Sequence, residues 1–257
     1  MATRQQIIAL YTLIRRELLR MLRIASQVFL PPVISTTLYF LIFGQLIGPR
    51  IGTIHGFNYT LFIAPGLVMM AVVVNSYGNV SSSLFSARFQ KNIEEMLISP
   101  MHYSLILLGY VFGGVARGVI VAILVFLVAN FFLTLTFDHL PLTLWVVMLV
   151  SAVFSLAGFT NAMIARNFDD ITIIPTFVLT PLTYLGGVFY SIEMLPSFWQ
   201  KVSYFNPILH TTNALRYAMI GQKDVNMSLA MTMIYTLLLL LTVLNLILLK
   251  KGVGLRE

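Results

Sequence analysis

The chain has 257 residues, of which 58% are hydrophobic and 10% are charged, and it contains no cysteine. Soluble proteins average about 45–50% apolar and about 25% charged residues, so this composition excludes an ordinary soluble domain and indicates a membrane protein. The net charge of +7 comes from basic residues beside apolar runs, which is typical of membrane orientation and not of nucleic-acid binding, while the missing cysteines exclude disulfides and thiolate sites.

The first predicted element is an amphipathic helix at residues 3–23. Its apolar residues recur at helical spacing: Ile7, Tyr11, Ile14, Leu18 and Leu22. Arg16, Arg20 and Arg23 fall on another face, a pattern typical of a helix that lies along the inner leaflet. The apolar run that follows is too long for the core of a cleavable signal peptide, so we expect it to remain as a span.

A membrane-spanning helix needs about 20 mostly apolar residues, and six runs qualify as spans. They are residues 28–47, 61–80, 105–127, 142–165, 171–185 and 228–249. The fifth run is the shortest, and Pro175 and Pro181 interrupt it, so we expect a kink or a break there.

The orientation of the chain follows from its basic residues. An even number of spans places both termini on one side, and the Lys and Arg clusters at both ends of the chain predict that this side is the cytoplasm. Lys201, Arg216 and Lys223, between spans five and six, oppose this orientation but are outnumbered.

A charged insert, RFQKNIEEMLISPMHY, follows the second span. Apolar residues recur in and just before it at helical spacing: Phe85, Phe89, Ile93, Met96 and Leu97. The polar residues on the rest of the wheel are Arg88, Lys91, Asn92, Glu94 and Glu95. Since Pro100 ends the pattern, it predicts a short amphipathic helix at residues 85–100. Lipid-binding helices carry Lys and Arg on the polar face, so the two glutamates favour a protein partner, although a solvated face stays open.

The third run contains GYVFGGVARG at residues 109–118, with glycines four residues apart. Gly113 and Gly114 in this pattern predict close packing between helices. Arg117 lies in the same run and must face protein or a wet cavity, because a charge at membrane depth is costly. Two interpretations stay open for it: a pair with a polar neighbour such as Asn161, or a place on a substrate pathway.

The segment between spans five and six, residues 186–224, is interrupted by turn residues. These are Gly186, Gly187, Pro196, Asn206 and Pro207. The helical pieces between them, 196–204 and 208–220, are too short to cross a bilayer of about 30 Å, so we expect them to dip in and return. Aromatic residues such as Trp199 settle at headgroup depth, which leaves open an interfacial belt or a lid over an exit path.

Several kinds of chemistry are missing from the sequence. It contains no P-loop, no nucleophile elbow and no metal-ligand spacing among its four histidines, so we expect no enzymatic activity in this chain. The six predicted spans contain no Asp or Glu, which disfavours an ion-driven carrier, although backbone carbonyls can bind sodium. We therefore expect the energy for any uphill transport to arrive from outside the chain.

Four parts of the sequence together resemble the membrane subunit of type-two ATP-binding-cassette (ABC) exporters. They are the N-terminal amphipathic helix, FQKNIEEMLISP, NFDD at residues 167–170, and LTPLTYLGGVFYSIEMLPSFWQKVSYFNP at residues 179–207. The resemblance covers nearly the whole chain. It implies an all-α permease with six spans that forms a homodimer in the bacterial inner membrane. Two copies of a cytosolic ABC ATPase would bind to it, and ATP and Mg²⁺ would be held by that partner, leaving no cofactor in this chain.

The resemblance also implies roles for particular residues. Residues 85–100 would be the coupling helix, and the loop with Asp169 and Asp170 a second contact. The implied ATPase contacts are Phe89, Ile93, Glu94, Glu95, Met96, Leu97, Pro100, Asp169 and Asp170. The implied outer gate consists of Gly186, Gly187, Pro196, Trp199, Asn206 and Pro207. The cargo is not named by the resemblance, and the alternative functions are an ion-coupled secondary carrier or channel and a non-transporting membrane scaffold.

Overall fold

The computed structural model of the protein describes residues 2–93, 96, 101–134 and 137–254. Within that part of the chain, the fold is a bundle of helices with one antiparallel pair of two-residue strands, in which Thr53 pairs with Asn58 and Ile54 with Phe57. The architecture confirms the prediction of an all-α membrane protein at the level of fold class.

The described residues form eleven α-helices, numbered in chain order. They are α1 (Ala2–Arg23), α2 (Ala25–Tyr39), α3 (Gly48–Ile51), α4 (Tyr59–Phe89), α5 (Tyr103–Phe132), α6 (Leu140–Ile164), α7 (Phe168–Ile174), α8 (Thr180–Tyr184), α9 (Ser197–Tyr204), α10 (Pro207–Ile220) and α11 (Met227–Lys251). Two π-helical segments, Phe40–Ile47 and Pro175–Leu179, continue α2 and α7, and a 3₁₀ turn covers Ile192–Met194. The strands are β1 (Thr53–Ile54) and β2 (Phe57–Asn58).

Five helices in the described part of the chain are long and apolar enough to cross a membrane. They are Ala25–Ile51, Tyr59–Phe89, Tyr103–Phe132, Leu140–Ile164 and Met227–Lys251. The most apolar stretch of α4 is 78% buried, whereas that of α11 is 17% buried, so α4 is central and α11 peripheral. The faces that α2 and α11 leave uncovered are apolar, as lipid-facing or subunit-facing helices require.

The fifth predicted span stays helical but changes its hydrogen-bond pattern at its first proline, in place of the kink or break that was expected. The helical stretch from Phe168 to Tyr184 passes through the π-helical segment that starts at Pro175, where the hydroxyl of Thr180 donates to the Pro175 carbonyl at 2.9 Å. Wide turns of this kind form where proline interrupts the regular hydrogen bonds. Phe168 lies beside the end of α4, against Phe89, so the stretch begins at that end of the bundle.

The two ends of the bundle are distinct. A buried cluster that includes Leu13, Phe85, Ile93, Phe159 and Leu249 defines the terminal end, because α1 and the last turn of α11 meet there. A second cluster joins the β1–β2 hairpin to the start of α4 and defines the hairpin end. It includes Phe40, Ile54, Tyr59, Phe62 and Val188. The ring of Tyr184 lies 6.4 Å from that of Phe189, which packs at the hairpin end.

The predicted helix at residues 85–100 begins later than its sequence pattern indicates. Phe85 and Phe89 belong to α4, which ends at Phe89. Lys91 has a φ of 59°, a left-handed conformation that interrupts the helix, and helical backbone resumes at Asn92. The start at residue 85 was therefore wrong, because periodicity alone does not detect an interruption of two residues, Gln90 and Lys91.

Helix α1 is docked on the bundle along its length. Leu13 packs against Gly109 and Glu17 against Gly113, so α1 and α5 run alongside each other over this turn. The predicted apolar stripe faces mostly outward, with Ile7, Tyr11 and Leu22 exposed and Ile14 and Leu18 half-buried. The stripe is thus available to lipid, and a different face of α1 holds the helix to the protein.

Candidate functional site

An aromatic junction at the terminal end brings together the two loops that the sequence suggested as partner contacts. The ring of Phe168, at the start of α7, lies 4.9 Å from that of Phe85 and 5.0 Å from that of Phe89, with edge-to-face geometry. Aromatic pairs at this spacing add about 0.5–1.5 kcal/mol each beyond burial. Phe89 is nevertheless 65% exposed and Phe168 52% exposed, so the junction presents an apolar surface.

Arg88 fastens the end of α4 to the end of α6. Its Nη1 donates to the carbonyls of Ala162, Met163 and Ala165, the last two at 3.1 Å. These carbonyls belong to the last turn of α6, where a helix leaves acceptors without intrahelical partners and carries partial negative charge. The arginine therefore makes the surface around Phe89 and Phe168 a continuation of two long helices.

The predicted ATPase contacts in the insert differ in their exposure to solvent. Phe89 is exposed and Met96 is half-buried. Ile93 is only 2% exposed and lies in the buried cluster of the terminal end, so in this subunit it anchors the insert instead of facing outward. Glu94, Glu95, Leu97 and Pro100 lie outside the described residues.

The two predicted contacts in NFDD have different positions. Asp170 accepts hydrogen bonds from the backbone N–H groups of Arg166 at 2.8 Å and Asn167 at 3.3 Å, while the Asn167 side chain accepts from Asp170 N–H. This reciprocal capping box holds the start of α7. Asp169 is exposed, so it is the carboxylate that α7 presents to solvent.

A buried carboxylate in α1 was missed by the sequence analysis. The side chain of Glu17 is 1% exposed, and both of its oxygens accept from the Ser83 hydroxyl at 2.8 Å. Arg16 and Arg20 approach it at 3.4 and 3.2 Å. The signal was present in the sequence, because Glu17 is the only acidic residue among the first 93. Glu17 was missed because it lies outside the six predicted spans, and buried carboxylates were expected only within spans.

Arg117 pairs with Asn75 and lines a cavity. Its Nη2 donates to the Asn75 side-chain oxygen at 2.9 Å, whereas Asn161 donates to the carbonyl of Ile171. The polar-neighbour interpretation thus holds with a different partner. The cavity has a volume of about 260 Å³ and lies between α2 and α4, where Gln27, Thr36 and Tyr39 also line it. A guanidinium beside hydroxyls and an amide is a polar site in an apolar layer, so a pathway role for Arg117 stays a prediction.

The glycines of α5 permit close packing, as their spacing predicts. Gly113 lies against Glu17 and Asn79, and Gly114 lies against Ser155 of α6 and Val80 of α4. A Cβ at Gly114 would overlap the Ser155 side chain, so α5 approaches both neighbours at backbone distance. Gly113 and Gly114 serve packing in this subunit.

A second charged cluster lies at the hairpin end, inside the predicted outer gate. Arg216 of α10 is fully buried and donates to the Gly187 carbonyl at 2.6 Å, with Asp224 at 3.5 Å. Its guanidinium carbon lies 4.0 Å from the centre of the Phe62 ring. Burial lowers the pKa of Arg216 to about 10 while the Asp224 carboxylate raises it, so the guanidinium stays charged at neutral pH.

This ion pair removes one of the three basic residues that oppose the predicted orientation, and Lys201 and Lys223 remain. Arg216 does not act as a loop charge, because Asp224 neutralises it inside the fold. The positive-inside rule concerns Lys and Arg in short loops flanking the spans.

The remaining gate residues lie in or beside two short helices that match the predicted pieces. Asn206 caps α10 by accepting from Ile208 N–H at 2.9 Å, and it donates to the Leu182 carbonyl at 2.6 Å. Gly187 has a φ of 66°, which favours glycine. Pro196 and Trp199 are exposed. Helix α10 is buried in the bundle while α9 lies on its surface, so whether these residues form a gate stays a prediction.

Comparison with known proteins gives consistent similarities over most of the chain. Residues 8–220 match the family model described as ABC-2 type transporter. The chain is 51% identical over 218 residues to the inner membrane transport permease YadH of Escherichia coli (strain K12), covering 85% of each chain, and equally similar to that of Shigella flexneri. It is 23% identical over 219 residues to nodulation protein J of Rhizobium leguminosarum bv. viciae, covering 84% of this chain and 83% of that protein.

Proposed function

The chain belongs to the ABC-2 type transporter family, and from that premise we propose that it is the permease subunit of an ATP-driven exporter in the bacterial inner membrane. The family confirms the resemblance found in the sequence. The permease forms the path across the membrane, and a separate cytosolic ABC ATPase binds ATP and Mg²⁺. This chain then needs no cofactor and catalyses no reaction itself.

The observation that carries the proposal is the exposed aromatic junction of Phe89 and Phe168. It joins the charged insert to α7, and Arg88 ties the same point to the end of α6. Exposed aromatic side chains on a rigid base are typical of interface anchors. A force applied to this surface acts on α4, α6 and α7 together. Transmission of force from an ATPase into the bundle requires such a connection.

The terminal end faces the cytoplasm in this proposal. The basic residues of α1, the insert and the end of α11 all lie there, as the positive-inside rule requires. The stretch Phe168–Tyr184 would be the fifth span in chain order and would bring the number of spans to six. It begins beside Phe89 at the terminal end and finishes beside Phe189, which packs at the hairpin end. Six spans place both termini on the cytoplasmic side, and α10 then dips in from the outer side.

Two permeases and two ATPases would form the working unit. The uncovered apolar faces of α2 and α11 supply surface for a second permease as well as for lipid. ATP drives the change only if the closed ATPase pair binds ATP more tightly than the open one, since a ligand shifts an equilibrium by its differential affinity. Closure of the ATPases would move the two inserts together and shift the spans beside them.

The buried carboxylate does not favour an ion-driven carrier. Carriers of that kind use carboxylates that release and rebind a proton or an ion. The oxygens of Glu17 are instead occupied by Ser83 and approached by two guanidinium groups. A carboxylate held in this way is a structural contact, so energy supplied by a partner remains the better explanation.

Binding of the cognate ATPase tests the proposal. We expect Phe89→Ala, and separately Glu94→Gln with Glu95→Gln, to weaken ATPase binding to the permease in nanodiscs. For Phe89→Ala the loss should be about 30-fold, because truncating an aromatic interface anchor costs about 2 kcal/mol or more. Glu193→Gln is the matched control for the glutamates, since it removes an exposed carboxylate at the hairpin end.

Undiminished ATPase binding in all the insert variants would overturn the proposal. Transport into proteoliposomes that proceeds without ATP or ATPase but follows an ion gradient would establish a secondary carrier instead. Partner binding with no translocation under any condition would establish a scaffold.

A further inference from the structure

A groove with a strongly basic wall lies between α1 and the last turns of α4. It has a volume of about 620 Å³. Arg15, Arg16, Arg20 and Arg23 of α1 line one side, and Ser86 and Gln90 line the other. These arginines are not part of the aromatic junction of Phe89 and Phe168, because they face α4 rather than α7.

The groove has more positive charge than its own acid can neutralise. Among the described residues that line it, four guanidinium groups face the single carboxylate of Glu17, an excess of three positive charges. Glu17 already binds Ser83 with both oxygens. Among the described residues that line the groove, Arg15 and Arg23 are exposed, so their guanidinium groups are accessible to an anion.

The groove lies at the depth where lipid headgroups are found. Helix α4 has 31 residues, about 46 Å at 1.5 Å per residue, which exceeds the hydrocarbon thickness of about 30 Å. About 16 Å of α4 therefore extends beyond the apolar layer, and the charged Arg88 and Lys91 place the last turns, which carry Ser83 and Ser86, at its polar edge. Placing these turns at the cytoplasmic face rests on the orientation in the proposed function.

An apolar surface runs along α1 beside the groove. Ile7, Tyr11 and Leu22 are exposed there, on the helix that supplies the four arginines. An amphiphile with an anionic head and apolar chains matches both features, because its head pairs with guanidinium groups and its chains cover the stripe. A soluble anion would leave the stripe uncovered.

We propose that this groove is a binding site for an anionic phospholipid of the inner leaflet. The phosphate is held by Arg15 and Arg23. Arg16 remains engaged with Glu17 and with Tyr110, whose hydroxyl accepts from it at 2.9 Å, and Arg20 with Glu17 and with the Asn79 side-chain oxygen at 3.0 Å. Three excess charges favour a head with two phosphates, so cardiolipin should bind more tightly than phosphatidylglycerol. Since Gln90 and Asn92 line the groove too, a bound lipid contacts the start of the insert.

Lipid binding to the purified permease, without ATPase, tests the site. The probes are cardiolipin, phosphatidylglycerol and phosphatidylethanolamine with identical chains, together with glycerol 3-phosphate, and native mass spectrometry in detergent measures their affinities. We expect cardiolipin to bind best and phosphatidylethanolamine least. In the double variant Arg15→Gln with Arg23→Gln, cardiolipin affinity should fall about 30-fold, which corresponds to about 2 kcal/mol.

The matched control is Arg4→Gln with Lys250→Gln, which removes two exposed charges outside the groove. It should leave cardiolipin affinity unchanged. An equal loss in the control would overturn the site, since the attraction would then come from overall charge. Equal binding of phosphatidylethanolamine, or equal competition by glycerol 3-phosphate, would also overturn it, the latter in favour of a soluble phosphate.

The ATPase supplies the last outcome. If the groove variants lose ATPase binding while cardiolipin affinity stays unchanged, the groove belongs to the ATPase interface and the lipid proposal fails. Because lipid affinity is measured without ATPase or transport, a failure here leaves the exporter proposal standing.

Discussion

Two buried ion-pair clusters lie at opposite ends of the bundle, and they differ in their access to water. At the hairpin end, both Arg216 and Asp224 have side chains that are 0% exposed. At the terminal end, Glu17 is 1% exposed, but its partners Arg16 and Arg20 are 42% and 30% exposed. The first cluster is closed within protein, whereas the second is open on its cationic side.

The difference separates a structural fastening from a surface that can bind something else. Arg216 joins α10 to α4 through the Phe62 carbonyl at 3.4 Å and to the turn after α8 through the Gly187 carbonyl. Asp224 accepts from Ile192 N–H at 3.3 Å, which adds the 3₁₀ turn. The parts of residues 186–224 that these bonds join are thereby held together with α4, so they would move together in any opening at the hairpin end. Arg16 and Arg20 are hydrogen-bonded to Tyr110 and Asn79 but stay partly exposed, and the neighbouring Arg15 and Arg23 can pair with a lipid or a partner.

The largest expected effect is at the closed cluster. Arg216→Met leaves the Asp224 carboxylate buried without its cation, and breaking a buried pair in this way costs about 3–5 kcal/mol. We expect a loss of that size in the free energy of unfolding, measured by denaturant titration of the purified permease in detergent. Residues 186–224 should also become accessible to protease, since Arg216 joins the parts of this segment.

Replacing both partners is the control for this prediction. Arg216→Met combined with Asp224→Leu removes both buried charges, and such double replacements are often neutral or stabilising. The double variant should therefore recover most of the stability lost by Arg216→Met. If it is as unstable as the single variant, the hydrogen bonds of Arg216 to the backbone matter more than its charge.

A smaller effect is expected at the open cluster. Glu17→Ala leaves the Ser83 hydroxyl buried without its acceptor, which costs about 1–3 kcal/mol, while Arg16 and Arg20 can turn toward water. The same unfolding titration should show less destabilisation than Arg216→Met. Ser83→Ala, which removes the donor and leaves the carboxylate to its arginines, is the companion variant. A loss equal to that of Arg216→Met would show that the arginines are not effectively solvated.

The sequence predicted well what depends on apolar length and turn chemistry. Runs of about 20 apolar residues appeared as long helices, and the interruption expected at Pro175 appeared as a π-helical segment. Helices α9 and α10 match their predicted pieces because Pro196, Asn206 and Gly221 are start and stop signals that act locally. These features are encoded within one or two helical turns.

The charged clusters depend on contacts between distant parts of the chain and were not predicted. Glu17 meets Ser83 across 66 residues, and Arg117 meets Asn75 across 42. No periodicity in one helix reveals such partners. The face of α1 that packs on α5 was missed for a related reason, because the apolar stripe indicated lipid contact and did not reveal the protein contacts of Leu13 and Glu17.

A third comparison of stability concerns Asp170 and Asp169, two carboxylates near the surface at the start of α7. Asp170→Ala removes the acceptor for Arg166 and Asn167 N–H at the start of α7, and loss of such a cap costs about 1 kcal/mol. Asp169→Ala removes an exposed carboxylate one residue away and should change the free energy of unfolding by less than about 0.5 kcal/mol. For ATPase binding the order should reverse, with the larger loss in Asp169→Ala, because Asp169 is the carboxylate that faces outward. If Asp169→Ala destabilises the fold as much as Asp170→Ala, or if only Asp170→Ala weakens ATPase binding, burial of a carboxylate does not separate fold from contact at this end of the molecule.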